Sequence, residues 1–356
     1  MGRPAGTSRR IPHGIGLALW LAAMPVQAGP PTLRVLLMES TGPVEVAGRL
    51  LAPATGGLSV AGRPVGEVWR AEGGDPLPVG PLRVRGVVEV RRTDAGLRVV
   101  NQVGLEDYVV ATLGRELYAG WNVETQKAQA VLARTFALHR RAAGRQAFDV
   151  RSGDLDQVYG GVDAETRVAR DATAATEGEV LLFDGKPILA AYHSSSGGRT
   201  ASAEEVWGRA LPYLQSVPVE GEEDSPDTYW RVSFSGTTLG RALAPLGLHL
   251  GNVTELRVEG RTPSGRALRV AIRGTAGQSS VEARALRDAL GRDRVRSTLF
   301  EIRASEDTFT FVGSGHGHGV GMSQWGAEAM ARRGADYRQI LAAFFPGTTL
   351  AHLAER

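Results

Sequence analysis

Leu105, Tyr108, Val109, Thr112, Leu113 and Glu116 recur at i, i+3, i+4, i+7, i+8 and i+11, one stripe of an amphipathic helix. The stripe predicts a helix over 105–118 and turns a carboxyl inward near its end. A carboxylate so placed reaches solvent, pairs with a base such as Arg115 or Arg134, or has a chemical task. Burial without a partner is costly and raises its pKa toward that of a proton donor. A second helix is predicted over 123–141 after the Ala119-Gly120-Trp121 break, with Asn122 suited to its N-cap and Gly144 to its end. At 1.5 Å per residue it is about 30 Å long.

Before these helices, short β-rich runs at 33–38, 44–50, 82–91 and 97–103 alternate with Gly/Pro turn signals. After them the pattern is mixed. A hairpin is expected at 180–183 and 188–192 around Asp184-Gly185, and strands at 229–234, 253–259, 267–272, 300–303 and 308–312. Short helices are expected at 281–290, 324–333 and 337–345, with a glycine-rich loop at 313–321. Helices and strands segregate without a βαβ rhythm, so the class is α+β. An antiparallel β-rich region (29–100) is expected to precede a mixed helix/strand domain (101–350).

The first 28 residues read as an export signal: Arg3, Arg9 and Arg10, an apolar run from Ile15 to Ala23, then Val26-Gln27-Ala28. The apolar run is too short to span a bilayer. Without those three arginines, 38 basic residues face 38 acidic ones. The whole-chain pI of 9.4 then no longer points to nucleic acid, which needs a basic face. With no cysteine, the chain has no disulfide, thiolate zinc site or lipid-bearing Cys. It is expected to be exported to a periplasm or cell wall, with no stable membrane anchor after signal cleavage.

Three segments carry candidate chemistry. The first runs from Gly114-Arg115-Glu116 to Lys127 through Thr135, where Lys127, Gln129 and Arg134 stand among alanines small enough for close approach of another element. The second, Tyr192-His193-Ser194-Ser195-Ser196-Gly197-Gly198, offers hydroxyls and main-chain amides to a polar ligand, or simply connects. No G-x-S-x-G elbow supports a serine hydrolase. The third holds His316 and His318 between glycines. With His193 these make a weak zinc signal, since no carboxylate ligand adjoins them. The glycines suggest instead a loop whose main chain approaches something closely. No metal or other cofactor is expected.

Together and in this order, the three segments resemble the SpoIID/LytB domain family over roughly 101–350. Its run similar to Glu-Met-Pro, a spacer, Lys-Ala-Gln-Ala-Val and Ala-Arg-Thr is matched by Glu116 and by 127–135. Its His-Ser-x-Ser-Gly-Gly loop is matched at 193–198 and its Gly-His-Gly-Val-Gly-Met-Ser-Gln run at 317–324. Leu117-Tyr118 stands for the usual Met-Pro, Gly120 for a common Ser and Asn122 for a common Pro, so the loop after Glu116 departs in shape.

The resemblance implies a glycan-binding cleft and lytic transglycosylase activity on peptidoglycan strands, in the sporulation protein on strands lacking stem peptides, with Glu116 as general acid/base. Lys127, Gln129 and Arg134 would shape or charge-tune the cleft, and Tyr192, His193, Ser194, Ser195, His318 and Gln324 would bind glycan. Other members enhance a separate enzyme. The alternative is therefore a non-catalytic, wall-binding enhancer of an N-acetylmuramoyl-L-alanine amidase. The residues accord with the lytic reading: hydrolytic glycosidases need two carboxylates, whereas Glu106 and Asp107 fall on the far side of the helix and Glu124 in the first turn of the next. Asp154 and Asp156 remain as candidates for a second acid.

Overall fold

In the computed structural model, which describes residues 1–2, 31–74, 76–144, 147–153 and 155–353, the stripe is buried as its spacing requires. Leu105, Tyr108, Val109, Thr112 and Leu113 are all inside, and Glu116 ends the helix half-buried. Apart from Met1 and Gly2, the expected export signal lies outside the described residues, as does Asp154. Among the described residues no helix is long and apolar enough to cross a membrane.

Two sheets precede the helices. One orders its strands Val150–Arg151, Thr32–Ser40, Gly96–Gly104, Val87–Thr93 and Val68–Ala71, all antiparallel except the first pair. The other orders them Arg63–Gly66, Gly57–Val60, Arg49–Ala54, Val44–Val46, Leu77–Val79 and Leu82–Val84. The run expected as one strand at 44–50 is a hairpin, because Ala47 and Gly48 both take positive φ (52° and 69°), the requirement of a two-residue turn joining Val46 to Arg49. The run at 82–91 breaks at Gly86, where φ is 79° and a Cβ would lie 2.2 Å from the Gln102 carbonyl oxygen. Only glycine permits that approach.

Helix α1 (Leu105–Glu116) and helix α2 (Val123–Ala142) follow, the latter capped by Asn122, whose side chain accepts from the Glu124 N–H at 3.0 Å. From Thr125 to Ala137 every residue of α2 except Lys127 is buried. Ala128, Ala130, Ala133 and Ala137 are fully so, which lets neighbours pack closely on several sides. Helix α3 (Arg167–Ala175), which the sequence reading did not foresee, packs against it through Ala169, Ala172 and Thr173. Next to α2 lies a sheet ordered Lys186–Pro187, Glu179–Phe183, Thr349–His352.

Two short helices, α4 (Ala203–Trp207) and α5 (Gly236–Leu243), come next; α6 (Ala283–Leu290), α7 (Gln324–Arg332) and α8 (Tyr337–Phe344) were foreseen within two residues. A second hydrophobic cluster gathers Phe234, Phe300, Phe311, Val270 and Leu286. It is built on the sheets Trp230–Ser235, Thr308–Gly313, Phe300–Ser305 and Val253–Arg261, Ala267–Gly274, Gly277–Glu282. The first cluster draws residues from Leu33 to Phe345. The class is α+β.

One small pairing positions the site. Tyr192–His193 runs parallel to Met322–Ser323, with Ser195 bridged to His316 and Ala201 to Val320. The glycines of the third segment allow this: a Cβ on Gly321 would meet the Ala191 carbonyl oxygen at 2.0 Å, and one on Gly317 the His193 Cβ at 2.7 Å. What the glycine-rich loop approaches closely is thus the 191–194 strand and loop.

Candidate active site

Glu116 lies where two clefts meet. One, of about 570 Å³, is lined by Glu116, Asp156, Gln157, Tyr192 to Ser194, Trp207, His316 and His318, with Gln324. The other, of about 630 Å³, is lined by Tyr118, Trp121, Asp227, Arg296 and Trp325. Glu116, Ser194, His316 and Gln324 line both. The result is a groove of mixed polar and apolar lining with a carboxyl where its two parts meet.

The carboxyl is held by its surroundings. The Val158 N–H donates to Glu116 Oε1 at 2.9 Å, and Tyr192 stands in hydrogen-bond contact with the same side chain. Gln157 orients that tyrosine: its Oε1 accepts from the Tyr108 hydroxyl at 2.9 Å while its Nε2 donates to the Tyr192 oxygen at 3.1 Å. Burial first, and then the nearby Glu116 charge, push the Tyr192 phenol well above its ordinary pKa. Tyr192 therefore keeps its proton and presents it toward Glu116.

A second carboxylate does line this cleft, contrary to the expectation from helix faces alone. Asp156, however, is committed: its side chain has no exposed surface, pairs with Arg140, and accepts from the Arg151 N–H at 2.8 Å. These partners are a cation and a main-chain donor, so its oxygens are already engaged away from a substrate.

The three histidines are oriented by hydrogen bonds at their ring nitrogens. His193 Nδ1 donates to the Val320 carbonyl at 3.1 Å, which leaves its Nε2 as an acceptor. His318 Nδ1 accepts from the Val320 N–H at 3.0 Å, so its proton is on Nε2. Burial, then the charge of its neighbours, lowers both pKa values, His193 well below the usual 6.5 and His318 to about 4. His316 Nδ1 meets Asp227 Oδ2 at 3.0 Å. Burial alone would raise the Asp227 pKa, but His316 and Arg296 hold it below the ordinary value. Among the described residues, no group of three or more His, Cys, Asp or Glu side chains is placed to hold a metal ion.

In the second cleft three aromatic rings cluster. Trp121 and Trp325 meet edge-on at 4.8 Å, and Tyr118 lies 5.3 Å and 6.1 Å from them with 61% of its surface exposed. A buried carboxylate, Glu222, clamps the loops beneath: it accepts from the N–H and hydroxyl of Ser196 at 2.7 and 2.6 Å, from the Gly198 N–H at 2.9 Å, and from Ser323.

Of the residues singled out in sequence, Glu116, Tyr192, His193, Ser194, His318 and Gln324 come together on one groove. Four do not. Lys127 pairs with Glu124 at 2.7 Å and lies over the Tyr337 ring. Gln129 is fully buried within α2. Arg134, also fully buried, grips Glu106 with two bonds of 2.8 and 2.6 Å and the carbonyl of Glu179 at 3.0 Å. Ser195 is buried, exchanging main-chain bonds with His316. Tyr118, Trp121, Gln157, Glu222 and Trp325 escaped the sequence reading. A Tyr-x-x-Trp spacing and a Trp directly after Gln324 were the available signals for the aromatic cluster.

Residues 93–183 match the family model for SpoIID, stage II sporulation protein, and residues 220–321 match that of a domain of unknown function. The stage II sporulation protein D of Bacillus subtilis is 31% identical over 270 residues, 71% of this chain and 76% of its own length. An uncharacterized protein of Brachyspira hyodysenteriae is 33% identical over 71% of this chain and 68% of its own. The amidase enhancer of B. subtilis is 28% identical over 66% of this chain, which spans only 39% of that protein. By identity and by extent, the chain belongs to the SpoIID family.

Proposed function

We propose that this protein is exported to the periplasm or cell wall, where it remodels peptidoglycan as a lytic transglycosylase with Glu116 as general acid/base. The observation that carries the reading is the position of Glu116 at the junction of two clefts. A polymer lying along both would present a glycosidic bond to the carboxyl, with sugar rings in either arm. Tyr118, exposed beside Trp121 and Trp325, supports this, since aromatic faces stack on the apolar face of a pyranose. The family relatives, one of them named as an amidase enhancer, make the cell wall the natural setting.

The chemistry needs one acid. The Glu116 carboxyl donates its proton to the glycosidic oxygen as the C1–O bond breaks, and the leaving sugar departs as an alcohol. Its carboxylate then takes the proton of the C6 hydroxyl as O6 bonds to C1, closing a 1,6-anhydro ring. The proton count balances and no water is consumed. Tyr192, protonated and in contact with Glu116, keeps the carboxyl oriented between the two steps.

The second reading is a non-catalytic, wall-binding partner of a cell-wall amidase. Replacing Glu116 by Gln separates the two. On purified peptidoglycan, stripped or not of stem peptides, E116Q should release no anhydro-ended fragments; undiminished release by a folded E116Q protein would refute the lytic reading. Stimulation of an amidase that survives the change would support the second.

A further inference from the structure

Trp207 and His318, their rings 5.5 Å apart, wall the groove on one side, and beyond them lies a separate cavity of about 550 Å³. Arg266, Arg269, Arg284 and Arg287 line it, all from the 220–321 segment that matches a domain of unknown function. Arg266 and Arg287 are only 2% and 8% exposed. Neither bonds to a carboxylate. Arg266 gives Nη1 and Nη2 to the carbonyls of Arg199 and Ser196, and its Nε has no partner in the protein. Arg287 gives Nε and Nη2 to the carbonyls of Val295 and Arg296, which leaves Nη1 over. Burial lowers both pKa values, Arg266 to about 10, which still leaves that guanidinium charged at neutral pH. The nearby acids are engaged elsewhere: Glu205 with the Ser264 N–H and hydroxyl, Glu222 with Ser196 and Gly198, Asp288 with Arg292.

A buried cation without an acid beside it is costly, so an anion that enters this cavity is favoured. Two other features of the lining narrow its kind. Glu204 and Glu282, exposed on the same cavity, oppose a second negative charge and so favour a carboxylate over a phosphate dianion. Leu268, 51% exposed, and Val206 offer apolar surface beside the arginines. A plain alkyl chain would cover that surface but strand the two acids and the Thr298 hydroxyl, whereas a peptide main chain supplies N–H donors to them. The geometry points to a binding site for the C-terminal carboxylate of a short peptide ending in a small apolar residue. The carboxylate meets Arg287 and Arg284 in the field of Arg266, and the terminal side chain lies on Leu268 and Val206. The site is separate from the groove at Glu116 and does not depend on the lytic reading.

Isothermal titration of the purified protein at pH 7 tests it, with N-acetyl-alanyl-alanine, the C-terminal amide of that peptide, hexanoate and inorganic phosphate as probes. The peptide acid should bind at least ~10-fold more tightly than each of the other three. Arg287→Gln should lose that preference. Because Arg287 also ties down two main-chain carbonyls, Thr298→Asp serves as the second variant: it sets a carboxylate among the arginines, and should abolish the preference without lowering the melting temperature. A peptide acid bound no better than its amide by the unaltered protein overturns the inference. So does hexanoate or phosphate bound as tightly as the peptide acid, or a preference that survives in Thr298→Asp.

Discussion

Glu116 and Asp156 line one cleft but are held differently: Asp156 pairs with Arg140 and its side chain has no exposed surface, whereas Glu116 is half-buried and accepts from the Val158 N–H. This asymmetry is what distinguishes a one-acid site from the paired carboxylates of a hydrolase. Asp156→Asn should leave the release of anhydro-sugars within about 10-fold of the unaltered protein, whereas loss of a general acid costs about 10²- to 10⁴-fold. Initial rates on purified glycan, with circular dichroism to confirm folding, compare the two. A folded Asp156→Asn protein as inactive as Glu116→Gln would point to two working carboxylates.

Tyr118 is the most exposed of the three clustered aromatics, so it can be removed without touching the core. Tyr118→Ala should raise KM about 10-fold with kcat nearly unchanged, the mark of lost uniform binding. Steady-state kinetics on glycan fragments of defined length would show it. A fall in kcat with KM constant would place the ring at the reacting bond instead.

Arg134, once a candidate for tuning the cleft, is a fully buried cation whose bonds all go to Glu106 and main-chain carbonyls. Arg134→Ala strands Glu106 and opens a hole, at a cost of about 3 kcal/mol or more. Urea denaturation should register this loss, while the activity of the fraction still folded stays near that of the unaltered protein. Unchanged stability with lost activity would return Arg134 to the site.

His193 and His318 have folded pKa values below the usual 6.5, His318 at about 4. Between about pH 6.5 and 4 the unfolded chain therefore binds protons that the folded chain refuses, so stability is complete above that window and declines as pH falls through it. The urea midpoint should drop between about pH 7 and pH 5, and His318→Gln should flatten part of the decline. A midpoint constant or rising on acidification would contradict the assigned histidine states.

Much of the fold was legible because its signals are local. The α1 stripe keeps a 3.6-residue period through five buried positions, and Asn122 caps α2 as its type suggests. The hairpin at Ala47-Gly48 was hidden because an alanine at positive φ runs against its preference. In α3 only nine residues carry the pattern, and the buried face is made of small side chains, Ala169, Ala172 and Thr173, rather than of large apolar ones.

The groove was less legible, for a physical reason. Lys127, Gln129 and Arg134 follow Glu116 closely in sequence, but α2 turns them to its own core and to α8 rather than to the clefts. Conversely Tyr118, Trp121 and Trp325 meet only because α7 is brought back against the α1–α2 junction, and Gln157 matters only through Tyr108 and Tyr192. Side chains that converge through tertiary contact leave no periodic trace.

The central claim is that a lone acid at Glu116 closes an anhydro ring instead of admitting water. Mass spectrometry of the sugars released from purified glycan strands tests it most directly. The account predicts 1,6-anhydro ends, each lighter by one water than the hydrolytic product, from the unaltered protein and none from Glu116→Gln. Reducing-end sugars carrying the added water, or anhydro ends made equally by both proteins, would contradict it.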